Sequence, residues 1–133
     1  MEEKALKVLC VEDEPEMIDL IRLILERRNI QVVGAVGGRL GIEALHREKP
    51  DLVLLDIMMP EVDGWEVFRS MKLDEELKSI PVIVVTAKAQ SIDKVLGLYI
   101  AKVDDYITKP FSPQELLQSV DRVLENRQGP KLG

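Results

Sequence analysis

Five short apolar runs rich in β-branched residues alternate with longer stretches of helical period, and this alternation most restricts how the chain can fold. It is typical of βαβ units, because two parallel strands need a long crossover connection between them. The predicted strands lie near 6–12, 31–35, 51–56, 81–86 and 104–108. We therefore expect an α/β protein built on one five-stranded parallel sheet.

The segments between the strands carry apolar residues three and four positions apart, which predicts amphipathic helices with one buried face. One helix begins at Pro15 and runs through Leu25, and the others cover 38–48, 65–77, 91–101 and 113–127. Ser112 and Glu115 form a capping-box pattern at the start of the last helix. Right-handed crossovers then favour a doubly wound, flavodoxin-like three-layer sandwich with strand order 2-1-3-4-5. In this order the first and last helices cover one face of the sheet.

Composition limits the class of protein further. The 133 residues, 46% of them hydrophobic, suit one globular domain over 1–127, followed by a polar tail at 128–133 that reads as a linker or an expression remnant. The net charge of -6 argues against direct nucleic-acid binding. No apolar run approaches the roughly 20 residues that span a bilayer. With Cys10 as the only cysteine, inside an apolar strand, we expect a cytoplasmic protein.

Polar residues stand where four of the predicted strands end. Glu12 and Asp13 follow the first strand, Asp56 the third, Thr86 the fourth and Lys109 the fifth. Ligands of open α/β sheets bind outside the carboxyl ends of the strands, so these five side chains are expected to converge in one crevice.

The chemistry of this set indicates a cation and a phosphoryl group. Three carboxylates supply only oxygen ligands, which favour a hard cation, Mg²⁺ first and Mn²⁺ as the alternative. Asp56 could attack phosphorus, as carboxylates do in forming aspartyl-phosphates. Lys109 and the hydroxyl of Thr86 could bind the phosphoryl oxygens.

Five motifs carry a resemblance to a known family. They are Val11-Glu12-Asp13-Glu14-Pro15, Leu54-Leu55-Asp56-Ile57-Met58-Met59-Pro60, Asp63-Gly64, Val85-Thr86-Ala87 and Asp104-Asp105-Tyr106-Ile107-Thr108-Lys109-Pro110-Phe111. In this order and over roughly residues 5–126, the chain resembles the receiver domain of bacterial two-component response regulators. The resemblance implies a signalling switch rather than an enzyme, with slow autodephosphorylation. It implies a sensor histidine kinase or phosphotransfer protein as donor, and an output domain or protein downstream.

The resemblance also assigns roles at the metal site. Asp56 is implied to be the phosphoacceptor and a metal ligand, and Asp13 a direct Mg²⁺ ligand. Glu12, where the family more often has aspartate, is implied to bind the metal through water. The backbone carbonyl of Met58 is implied to complete the protein ligands.

Three further residues are implied to read the phosphoryl group. Lys109 contacts it, and Thr86 and Tyr106 form a switch pair that alters the surface made by the fourth helix, the fifth strand and the fifth helix. The peptide bond between Lys109 and Pro110 is expected to be cis, as in the family.

Some positions depart from the family pattern. Lys102-Val103 replaces a Gly-Ala pair, so the end of the fourth helix is expected to be altered. Val95 and Ser119 stand where a symmetric dimer of the winged-helix class would have basic residues, which leaves a weak or phosphorylation-dependent dimer open. Met58 and Lys88 occupy the positions that tune dephosphorylation, and the bulky Met58 suggests a long-lived phosphate.

Two other classes of protein compete with this interpretation. An aspartate-nucleophile hydrolase would need a second aspartate two residues after Asp56, where Met58 stands. A phosphate-independent interaction module would keep the fold and lose the chemistry, whereas Asp13, Asp56, Thr86 and Lys109 are all present.

Overall fold

The computed structural model describes residues 6–87 and 103–128, and five parallel strands within them form one sheet. The strands are β1 (Leu6–Glu12), β2 (Ile30–Val36), β3 (Leu52–Leu55), β4 (Val82–Thr86) and β5 (Asp105–Thr108). Their spatial order is β2-β1-β3-β4-β5, so the predicted doubly wound topology is confirmed.

Four helices cover the sheet in the described part of the chain. They are α1 (Pro15–Glu26), α2 (Gly38–Glu48), α3 (Gly64–Lys72) and the C-terminal helix (Pro113–Gln128). The helix predicted over 91–101 lies outside the described residues, as do Val95, Lys88 and Lys102. No described helix is long and apolar enough to cross a membrane.

The third helix is shorter than predicted. It was expected over 65–77, but it begins at Gly64 and ends at Lys72. After it, the Asp74 carboxylate accepts a hydrogen bond from the Glu76 amide at 2.8 Å and holds a turn. Leu77 is buried after this turn, so its apolar character reflects packing of a loop rather than continuation of the helix.

Capping residues act where the sequence placed them. The amide of Glu115 donates to the Ser112 hydroxyl at 3.0 Å, and the Ser112 amide donates back to Glu115 at 2.8 Å, which completes the capping box. Asp63 caps α3 by accepting from the Glu66 amide at 3.0 Å. These bonds satisfy amides that the first turn of a helix leaves without a backbone partner.

The core lies in two layers on opposite faces of the sheet. One contains side chains of α1 and the C-terminal helix, and the other contains side chains of α2 and α3. This agrees with the faces predicted for these four helices. Cys10 of β1 and Phe68 of α3 are buried in these layers.

Candidate functional site

The three predicted carboxylates lie together at the carboxyl edge of the sheet. One oxygen each from Glu12, Asp13 and Asp56 falls within 4.8 Å of the others. The register explains this, because Val11 pairs with Leu55 and the Asp56 amide donates to the Val11 carbonyl at 3.0 Å. The residues that follow these neighbouring strands therefore emerge side by side.

Lys109 joins the carboxylates from the far side of the crevice. Its amide donates to the Thr86 carbonyl at 2.8 Å, which fixes the chain just beyond β4 and β5. Its ammonium lies 2.9 Å and 3.2 Å from the two Glu12 oxygens and 3.4 Å from Oδ2 of Asp56. The bond from Lys109 to Pro110 is cis, as predicted.

The side chains of the site are largely buried, and most of them are acidic. Side-chain exposure is 2% for Glu12, 4% for Asp56 and 12% for Lys109. Burial is the main cause that raises the pKa of Glu12 to about 7; the hydrogen bond from Lys109 opposes this rise and the Asp56 carboxylate adds to it. Burial acts to lower the pKa of Lys109, but the carboxylates of Glu12 and Asp56 outweigh it and raise that pKa.

Local structure orients Asp56. Its Oδ1 accepts a hydrogen bond from the Met58 amide at 2.9 Å. Gly64 begins α3 against the Asp56 carbonyl, where an added Cβ would collide, so the Asp63-Gly64 motif lets the helix start close to the site. The role predicted for the Met58 carbonyl as a metal ligand stays a prediction.

The two predicted switch residues have different environments. Thr86 ends β4 and is fully buried at the same edge of the sheet as Lys109. Tyr106 lies in β5 opposite Val84 and is 45% exposed. Their coupling through a phosphoryl group stays a prediction.

A second polar cluster, which the sequence analysis did not identify, joins β5 to the C-terminal helix. In this Asp105 cluster the carboxylate of Asp105 accepts hydrogen bonds from the Ser119 hydroxyl at 2.5 Å and from Arg122 at 2.6 Å. Burial acts to raise the pKa of Asp105, but the bonds from Ser119, Arg122 and the Tyr106 amide outweigh it and hold that pKa below its usual range. The three-residue spacing of Ser119 and Arg122 was the available signal, since it places both on one helix face.

The donor set of the crevice fits a hard divalent cation. Its ligand atoms are carboxylate oxygens, and their negative charge exceeds the single positive charge of Lys109. Mg²⁺ is usually bound by one or two carboxylates together with waters and phosphate oxygens. An incoming cation would therefore relieve the repulsion among Glu12, Asp13 and Asp56.

Comparisons with known proteins agree with this geometry. The family model of the response regulator receiver domain matches residues 8–121 of this chain. The alkaline phosphatase synthesis transcriptional regulatory protein PhoP of Bacillus subtilis (strain 168) is 40% identical over 118 residues, which are 89% of this chain and 48% of that protein. The chain thus spans about half the length of this relative.

Solved structures of response regulators have a similar fold. The Vibrio cholerae chemotaxis response regulator CheY4 has the same fold, with a TM-score of 0.82, 24% identity and coverage of 90% of this chain and 99% of that one. The N-terminal domain of a response regulator receiver protein from Methanoculleus marisnigri JR1 is 36% identical, with a TM-score of 0.70 and coverage of 89% and 95%. The chain belongs to the response regulator receiver domain family, the phosphorylation-dependent signalling switches of two-component systems.

Proposed function

We propose that Asp56 is the phosphoacceptor of this domain and receives its phosphoryl group from a sensor histidine kinase or a phosphotransfer protein. One observation carries the proposal. The Asp56 carboxylate lies where two other carboxylates and one ammonium converge, with Oδ1 on the Met58 amide and Oδ2 at 3.4 Å from Lys109. This arrangement supports the roles of a nucleophile, a cation site and a phosphoryl-binding group.

The transfer needs no further general acid when the donor is an acyl phosphate. With acetyl phosphate as the donor, an oxygen of Asp56 forms a new bond to phosphorus, the donor's P–O bond breaks, and acetate leaves with the electron pair. Lys109 provides an ammonium for a phosphoryl oxygen, and the hydroxyl of Thr86 provides a hydrogen bond to another. Positioning and charge stabilisation supply most of the catalysis in phosphoryl transfer, so this small set of groups is sufficient.

The metal site of the proposal uses the residues at the end of β1 and after β3. Asp13, Asp56 and the Met58 carbonyl would hold Mg²⁺, or Mn²⁺ in its place, and Glu12 would act through a bound water. When bound, the ion offsets the negative charge of the phosphoryl group and its nucleophile.

The output is proposed to follow from Thr86 and Tyr106. A phosphoryl group on Asp56 would draw the Thr86 hydroxyl toward it, and the ring of Tyr106 would move into the space released. Only contacts that differ between the two states can shift their populations. We also propose a cytoplasmic location, which the free, buried Cys10 favours, and a downstream output domain or protein as partner.

Labelling with acetyl phosphate tests the phosphoacceptor. We expect the wild type to gain one phosphoryl group in the presence of Mg²⁺, Asp56→Asn to gain none, and EDTA to prevent the reaction. Asp121→Asn is the matched control, because Asp121 is an exposed aspartate paired with Arg28 outside the crevice. Intact-protein mass spectrometry measures the product.

Equal labelling of the wild type and Asp56→Asn would refute the proposal. Sustained turnover of phosphate esters would instead favour the hydrolase interpretation. Absence of both labelling and Mg²⁺ binding would favour a phosphate-independent interaction module.

A further inference from the structure

The ammonium of Lys109 contacts Glu12 more closely than it contacts Asp56. It lies within 3.2 Å of both Glu12 oxygens, whereas its distance to Asp56 Oδ2 is 3.4 Å. A lysine proposed to bind a phosphoryl group on Asp56 is thus held first by another carboxylate. We call this contact the Glu12–Lys109 pair.

The Glu12–Lys109 pair spans the crevice. Glu12 ends β1, Lys109 follows β5, and β3 and β4 lie between them in the sheet. Neighbouring strands are about 4.8 Å apart, so the two backbones are separated by roughly 14 Å, and two long side chains are needed to meet. They meet beside Asp56, which directly follows β3 and has a side chain that is only 4% exposed.

Both oxygens of Glu12 accept hydrogen bonds in this arrangement. Each accepts from the Lys109 ammonium, and Oε2 also lies 3.4 Å from the Glu14 amide. A divalent cation held by the adjacent carboxylates of Asp13 and Asp56 would stand close to that ammonium. Two positive centres at such a distance repel each other, so binding of the cation and the contact of Lys109 with Glu12 oppose each other.

We propose that Glu12 is a positioning residue for Lys109: it holds the ammonium in the metal-free protein and releases it toward Asp56 when its oxygens turn to a divalent cation. The inference rests on the proposed function, because it concerns the same crevice. Loading of the cation and availability of Lys109 to the phosphoryl group are then one coupled event. A glutamate side chain is one methylene longer than that of aspartate, which gives Glu12 the reach for this contact.

A double-mutant cycle on Mg²⁺ affinity tests the coupling. The dissociation constant is measured by isothermal titration calorimetry for the wild type, Lys109→Met, Glu12→Gln and the double variant. We expect Lys109→Met to tighten Mg²⁺ binding about tenfold when Glu12 is present, because a competitor for its oxygens is lost. In the Glu12→Gln background the same change should tighten binding by no more than about threefold, through loss of charge alone.

Two controls keep the cycle interpretable. Lys7→Met removes another lysine that pairs with a glutamate, Glu48, away from the crevice, and it should leave Mg²⁺ affinity unchanged. The fluorescence of Trp65, the only tryptophan, reports whether each variant is folded. If Lys109→Met does not fold, Lys109→Gln takes its place in the cycle.

Equal tightening in both backgrounds, or none in the wild type, would overturn the inference. Acetyl phosphate labelling separates this failure from that of the proposed function. A protein that binds Mg²⁺ and is labelled at Asp56 but shows an additive cycle loses only the inference. A protein that neither binds Mg²⁺ nor is labelled loses both.

Discussion

Glu12 and Asp105 each accept hydrogen bonds from a basic side chain, yet their pKa values move in opposite directions. Burial raises the pKa of Glu12 to about 7 in spite of its bond to Lys109. The hydrogen bonds to Asp105, among them one from Arg122, overcome the effect of burial and lower its pKa. The sign depends on how much water is lost and how much opposite charge is gained, rather than on the presence of an ion pair.

The two regions therefore differ in how their charges are balanced. Among the described residues, the crevice brings together three carboxylates and one ammonium; the Glu12 side chain is 2% exposed and that of Lys109 is 12% exposed. The Asp105 cluster balances its carboxylate with a hydroxyl and a guanidinium that is 59% exposed. An excess of buried charge is costly for stability and useful for binding a cation, whereas the balanced cluster joins a strand to a helix.

Removal of Lys109 should produce the largest effect on stability. In metal-free buffer at pH 8, Lys109→Met leaves buried carboxylates without their cation, and the free energy of unfolding should fall by about 3 kcal/mol. Lys7→Met removes a more exposed partner of Glu48 and should cost much less. Urea denaturation measures both values. Similar losses in the two variants would show that Lys109 contributes no more to stability than a lysine on the surface does.

Added Mg²⁺ should stabilise the crevice and not the Asp105 cluster. At a concentration of 100 times its Kd, a ligand that binds only the folded state adds about 2.7 kcal/mol. Asp13→Asn should lose most of this gain at the same concentration, while Asp105→Asn should retain it. Thermal denaturation with and without Mg²⁺ gives the comparison. Full stabilisation of Asp13→Asn would contradict the assignment of Asp13 as a ligand.

The pH dependence of stability should separate the two carboxylates by direction, with a smaller effect. In EDTA, Glu12 has a folded-state pKa near 7 against an ordinary value of 4.5, so its contribution is full below pH 4.5 and is lost as the pH rises through 7. The pKa of Asp105 is lowered from 3.8, so its contribution is present above pH 3.8 and is lost as the pH falls through the folded-state pKa.

Urea midpoints across pH check this assignment. Glu12→Gln should flatten the curve between pH 4.5 and 7, and Asp105→Asn should flatten only its acid limb. If Asp105→Asn altered the stability near neutral pH and Glu12→Gln did not, the opposite pKa shifts of the two carboxylates would be wrong.

Loss of the guanidinium in the Asp105 cluster should have the smallest effect. Arg122→Gln removes one exposed partner and leaves the Ser119 hydroxyl on Asp105, so the free energy of unfolding should fall by about 0.5 kcal/mol. The matched Ser119→Ala variant tests the buried hydroxyl and should cost about 1 kcal/mol. A loss above about 2 kcal/mol in Arg122→Gln would show that this cluster contributes to stability nearly as much as the crevice does.

Local patterns explain why much of the fold was predictable. The capping box of Ser112 and Glu115 depends on residues three apart, and it formed as expected. The end of α3 did not follow, because Asp74 begins a turn and Leu77 packs as a loop residue. An apolar residue beyond a helix has the same sequence signal as one within it, so contacts with the rest of the core decided that boundary.

The sequence by itself determined the alternation of strands and helices, the strand order and the set of groups at the carboxyl edge of the sheet. These follow from short-range periodicity and from the handedness of crossovers. Tertiary structure alone decided which groups touch. Glu12 and Lys109 are 97 residues apart and meet across two intervening strands, while Asp105 faces Ser119 and Arg122 rather than the crevice. Such pairings depend on side-chain reach and on local loss of water, which no spacing along the chain records.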